Sequence, residues 1–148
     1  MQKSFDPADA LAIAQSARRS MAARAATPWW YPPAYGLGCG AIVASLALPP
    51  MLSVIACCLS VAFLAGIYTY WTRTSGLSVN GYRRGSTLPI TLTLVVGFAL
   101  LGGGAAVMRF DHGIVWAPLA CGAVLAVIAG VASAAWDRAW RADILAGA

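Results

Sequence analysis

Residues 25–72 run for 48 positions without a charged side chain, and a proline pair, Pro49-Pro50, divides them. As one helix this stretch would be about 70 Å long at 1.5 Å per residue, over twice the ~30 Å hydrocarbon thickness of a bilayer. The chain must turn back, and the prolines mark the place. A residue before proline avoids the helical region, whereas proline at the first helical position is well tolerated. One apolar helix is therefore expected over 32–48 and a second over 50–71. The first is short in its apolar part and reaches full depth only with Trp29, Trp30 and Tyr31 at the interface, where such rings prefer to sit.

Two more apolar runs follow: "LPITLTLVVGFALLGGGAAVM" over 88–108 and "GIVWAPLACGAVLAVIAGVASAAW" over 113–136. Only 10% of the chain is charged and 60% is apolar, against about a quarter and a half in soluble domains. That excludes a water-exposed globular domain, and 148 residues leave room for one membrane domain. The predicted fold class is an all-α membrane protein with four transmembrane helices arranged as two helical hairpins. Residues 1–28 form a cytoplasmic N-terminal segment with its own helix, 29–140 the membrane domain, and 141–148 a cytoplasmic tail.

An even number of spans puts both termini and the central loop on one side. Those segments hold Lys3, Arg18, Arg19, Arg24, Arg73, Arg83, Arg84, Arg138 and Arg141, against Arg109 alone opposite. The positive-inside rule then makes both termini cytoplasmic, in a bacterial inner membrane. Trp29, Trp30, Tyr31, Tyr70, Trp71, Trp136 and Trp140 are expected to form an aromatic belt at that face. The N-terminus lacks the uninterrupted apolar stretch of a secretory signal and is expected to be retained. In "DPADALAIAQSARRSMAARA", Asp6 is a plausible N-cap and Pro7 stands at the first helical position. The resulting helix either lies on anionic headgroups of the inner leaflet or is solvated.

Chemistry at depth usually needs ionisable groups, and the four predicted spans contain no Asp, Glu, Lys, Arg or His. That argues against a proton- or sodium-coupled carrier. Hydroxyls such as Ser45, Ser60, Thr69, Thr91 and Thr93 most simply bond the carbonyl one turn back. The turn "RFDHG" brings Asp111 beside His112, the lone histidine, but two adjacent ligands without a third make a weak metal site, and a capping turn is the simpler reading. Cys39, Cys57, Cys58 and Cys121 lack metal-type spacing and read as buried small hydrophobes. No catalytic residue, metal site or cofactor is assigned, and nothing calls for a nucleic-acid partner.

Small residues give the clearest packing signal. Gly36 and Gly40 form a Gly-x-x-x-Gly pair, Gly102, Gly103 and Gly104 stand in a row, and Gly122, Ala126 and Gly130 make a four-spaced stripe. Such stripes let helix backbones approach closely in lipid, within one bundle or between copies. A bend at Gly102–Gly104 is a further possibility for this sequence. The central loop reads as a small hairpin folded on Asn80-Gly81, with Arg73, Arg83 and Arg84 positioned for lipid headgroups or an acidic partner. No phosphate-loop pattern is present.

The segments "ATPWWYPPAYGLGCGAIVASLALPP" and "GLSVNGYRRGST" resemble those of small multi-pass membrane proteins of high-GC actinobacteria. The likeness covers most of the chain and rests on an aromatic-proline entry and a glycine-arginine loop. It implies an accessory or regulatory membrane protein and carries over no functional residue. The leading expectation is a non-enzymatic structural or regulatory subunit, assembling as a homo-oligomer or with a larger membrane partner. The alternatives are an oligomeric exporter or channel for a small or lipophilic solute and, third, a lipid or isoprenoid enzyme.

Overall fold

The computed structural model describes residues 11–17, 20, 27–76 and 87–146, and every regular element among them is helical. Helix α1 is Tyr31–Ala44, α2 is Pro50–Ser75, α3 is Leu88–Phe110 and α4 is Ala117–Ala146. Residues 11–17 are also helical. The other residues of the N-terminal segment, and the 77–86 loop with Asn80, Gly81, Arg83 and Arg84, lie outside the described residues. Three helices are long and apolar enough to cross a membrane: α2, α3 and the Ala117–Asp143 part of α4. The chain is thus an all-α protein with the make-up of an integral membrane protein.

Helix α1 is the exception. It has 14 residues and tightens into a 3-10 turn over Ser45–Ala47, about 27 Å in all at the rises of the two helix types. Leu48 is extended, and Pro49, with ψ of 151°, leads into Pro50 at the head of α2. Proline stands in the first turn of all four helices: Pro32 and Pro33, Pro50, Pro89 and Pro118. There its missing N–H costs nothing, because the first N–H groups of a helix have no partner within it. Glycine marks the other boundaries. Gly76, at φ +67°, closes α2 by donating its N–H to the Thr72 carbonyl, and Gly113, at φ +69°, turns the chain between α3 and α4. That left-handed conformation suits glycine and breaks a helix. It is why the last helix starts at Ala117 and not at Gly113. Helix α3 runs unbroken through Gly102–Gly104.

The helices pack in the order α2, α1, α4, α3, with the α1–α4 contact the most extensive and α2 meeting mainly α1. Close approach in the middle comes from glycine. A Cβ built at Gly36 would overlap the Ala126 carbonyl oxygen and lie 2.9 Å from Gly130 N. One built at Gly40 would lie 2.5 Å from Gly122 O, and one at Gly122 would lie 2.7 Å from Gly40 O. The two small-residue stripes therefore face each other within one chain. Gly102 makes ordinary contact with Val43, whereas Gly103 and Gly104 look into open space.

Val43, Ala105 and Leu125 form the buried core, with Leu46, Phe98, Leu101 and Cys121 packed around it. This joins α1, α3 and α4 near the end holding Pro49 and Gly113, here called the proline end. The opposite end, where Trp30, Trp71 and Trp140 lie, is the aromatic end. Large apolar side chains such as Leu59, Val95, Leu100, Val127 and Val131 point outward. Water would penalise that arrangement, and lipid does not.

Candidate functional site

At the aromatic end the helices separate and leave a crevice of about 240 Å³. Every helix contributes to its wall: Tyr31 and Tyr35 from α1, Tyr68 and Trp71 from α2, Thr91 and Leu94 from α3, and Ser133, Trp136 and Asp137 from α4. The crevice exists because α2 leans on α1 and α3 on α4, while α2 and α3 scarcely meet.

The rings form a connected network and not merely a belt. Trp71 is the hub, 6% exposed, with ring centroids 6.3 Å from Tyr31, 6.5 Å from Tyr68 and 6.1 Å from Trp140. Tyr31 stacks on Tyr35 at 6.4 Å, Trp136 on Trp140 at 5.6 Å, and Trp30 tilts against Tyr70 at 5.8 Å. These separations fall within the range in which aromatic pairs attract beyond simple area burial. Of the seven rings expected in the belt, Trp29, 88% exposed, has no ring partner among the described residues. The Trp71 indole N–H is covered and has no acceptor among the described residues, so the crevice meets the ring and not the donor.

Among the described residues Asp137 is a buried charged side chain, and it stands one residue past the predicted end of the last span. The last span was expected to end at Trp136, because charged residues follow immediately. Instead α4 continues to Ala146, and Asp137 sits inside it, 6% exposed. Its Oδ2 pairs with an Arg141 guanidinium nitrogen at 2.7 Å, one turn along, and its Oδ1 accepts the Thr27 backbone N–H at 3.4 Å. Arg141 Nε also donates to the Asp137 carbonyl at 3.4 Å. The Asp137–Arg141 spacing of i, i+4 was visible in the sequence. With no proline or glycine before Gly147, it signalled a helix that carries its charges past the apolar run. A buried carboxylate needs such partners, since desolvation of an unpaired one is costly.

The other singled-out residues take structural places. Hydroxyls of Ser45, Ser60, Thr69, Thr91 and Thr93 bond to the carbonyls of Ile42, Ala56, Gly66, Thr87 and Pro89, at 2.7 to 3.2 Å. Asp111 and His112 are exposed in the α3–α4 turn, with His112 Nδ1 3.5 Å from the Val107 carbonyl. Cys39 is buried, Cys57 and Cys121 half-buried and Cys58 exposed, all as free thiols. Among the described residues no three of His, Cys, Asp and Glu gather as metal ligands would. Arg73 is exposed in the last turn of α2, beside a shallow groove with Thr69 and Tyr70.

Comparison with protein-family models, with curated proteins and with solved structures finds no match. The functional reading accordingly rests on the crevice.

Proposed function

We propose that this chain is a four-span protein of the bacterial plasma membrane, with both termini cytoplasmic, that works by binding an amphiphile at its inner face. It is a structural or regulatory subunit and not an enzyme. Support for the fourth span comes from levels. Trp30 meets Tyr70 and Tyr31 meets Trp71 at one end of α1, and Pro49 joins α1 to the start of α2 at the other. Between Pro50 and Trp71, α2 rises about 32 Å, so α1 with its 3-10 turn crosses the same thickness. The arginine and lysine bias supports the orientation. Anionic headgroups of the inner leaflet would attract the basic residues of the N-terminal segment and the central loop, and Arg73, exposed in the last turn of α2, stands at the aromatic end.

The single observation that carries the binding reading is the crevice, which takes side chains from all four helices and has five aromatic rings among its twelve lining residues. Concave, mostly apolar sites with a few polar groups are where small molecules bind. A solute path through a single chain would need the crevice to continue to the proline end, where Val43, Ala105 and Leu125 close the core. An enzyme would need an acid–base group, and the crevice carboxylate is committed to Arg141.

Two experiments test this. Reporter fusions after residue 76 and at the C-terminus should be cytoplasmic, and one inserted at His112 should be external; an external C-terminus would refute four spans. For the site, dodecyl chains brominated near the head should quench tryptophan fluorescence saturably in maltoside micelles. Ser133→Leu or Ala132→Phe, which fill the crevice, should abolish the saturable part while leaving helix content intact. Unchanged quenching in both variants would place the amphiphile elsewhere and remove the crevice from the function.

A further inference from the structure

We infer that the crevice selects a positively charged head, an alkylated ammonium or phosphonium group, on an apolar body. The inference rests on the reading of the crevice as an amphiphile site and adds the sign of the charge. Five rings line the cavity: Tyr31, Tyr35, Tyr68, Trp71 and Trp136. Aromatic faces carry negative electrostatic potential, and cages of such faces hold quaternary ammonium groups that cannot donate hydrogen bonds.

The charge inside the cavity has the matching sign. Asp137 is the charged residue in the described wall. Its partner Arg141 reaches it from the next turn with a side chain 38% exposed, against 9% for the aspartate. The guanidinium is the more solvent-exposed and better screened partner, whereas the carboxylate lies in the cavity wall, and the cavity feels the carboxylate more. An ionised carboxylate has about four acceptor sites. Two of those of Asp137 are taken, by the 2.7 Å contact from Arg141 and the 3.4 Å bond from the Thr27 N–H, so the carboxylate keeps acceptor capacity.

Size decides how much of the ligand enters. At about 240 Å³ the cavity is below the roughly 300–1,000 Å³ of pockets that enclose a drug-sized molecule. It admits a head, while the body stays among lipid chains. Two sources carry this chemistry: the headgroup of an aminolipid and a free lipophilic cation.

The test uses the full chain in neutral maltoside micelles, with dodecyltrimethylammonium, dodecanol and dodecyl phosphate competing against the brominated probe. The ammonium compound is expected to bind at least tenfold more tightly than the other two. Asp137→Asn should weaken it about tenfold and Tyr68→Leu several-fold, in line with the usual strength of ion-pair and cation–π contacts. Arg141→Gln separates charge recognition from a structural role. It leaves the carboxylate unopposed, so ammonium binding should tighten, whereas a purely structural pair would make both variants bind worse. Should Asp137→Asn not fold, Arg141→Gln and the head series decide. Phosphatidylcholine mixed into the micelles should compete if the source is lipid, and leave binding unchanged if it is a free cation. Equal affinity for all three heads, or weaker ammonium binding in Arg141→Gln, overturns the cation inference while leaving the amphiphile site intact. Loss of crevice-dependent quenching for every head removes both.

Discussion

Gly40→Leu is expected to lower the melting temperature strongly, and to part α1 from α4. The Cβ of any residue at this position would stand 2.5 Å from the Gly122 carbonyl oxygen and 2.7 Å from the Ala126 Cβ. The first neighbour is backbone, which cannot rotate aside, so the helices must move apart. Over-packing a filled interior costs about 1–3 kcal/mol, and Gly40→Ala should fall in that range. Leucine adds three further carbons to the same overlap and should reach or exceed the top of it. The loss is severe because, in lipid, close van der Waals packing and not water exclusion holds helices together. Gly103→Leu supplies the control. A Cβ at Gly103 or Gly104 meets nothing within 4 Å, so stability should hold or rise by up to about 1 kcal/mol through better helix propensity. Thermal unfolding in a mild detergent, followed by circular dichroism, compares the variants. Equal losses for Gly40→Leu and Gly103→Leu would mean that the glycine seam does not hold the bundle.

That contrast also shows what the sequence could and could not disclose. The four-residue spacing of Gly36 and Gly40, and of Gly122, Ala126 and Gly130, identifies smooth helix faces, because i and i+4 lie one above the other. It does not say which smooth face meets which, and the Gly102–Gly104 run looked equally good. Pairing is a three-dimensional property, decided here by α1 lying against α4 and turning Gly103 and Gly104 outward. Helix starts were legible through proline, since Pro50 and Pro89 sit in first turns for a local backbone reason. The last helix begins four residues after the apolar run does. Apolar composition begins at Gly113, but its left-handed φ of +69° postpones the helix to Ala117.

The crevice was the least legible part. Tyr31, Tyr35, Tyr68, Trp71 and Trp136 are spread over three helices, and interface preference alone explained most of them without any cavity. Their convergence depends on α1 and α4 packing between α2 and α3, which scarcely meet, a tertiary feature with no local signature. Asp137 was hidden differently. Counting apolar residues ended the span just before it, although helices do not stop where hydrophobicity stops. The Asp137–Arg141 pair lets the helix continue, since each charge satisfies the other where water thins out.

Trp71→Ala should be the most disruptive change outside the glycine seam, with its effect confined to the aromatic end. Helix α2 meets mainly α1, and through the 6.1 Å edge contact of Trp71 with Trp140 it also reaches α4. Truncating a buried tryptophan removes its contacts and leaves a void, which usually costs about 3–5 kcal/mol. Three ring contacts to Tyr31, Tyr68 and Trp140 disappear together, each worth about 0.5–1.5 kcal/mol beyond area burial. The void merges with the crevice and enlarges it. Two measurements follow the consequences. The unfolding temperature in detergent should fall markedly, and a thiol reagent should label an engineered cysteine at Ser75 faster as the end of α2 loosens. Cys39, a buried residue in the middle of α1, should react no faster than before. Trp71→Phe keeps a ring in the hub and should recover most of the stability. If Trp71→Ala instead melts like the parent, the aromatic network is an ornament of the interface and the crevice walls are held by α1 and α4 alone. Faster labelling at Ser75 with an unchanged Cys39 would locate the tether between α2 and α4 at this one side chain.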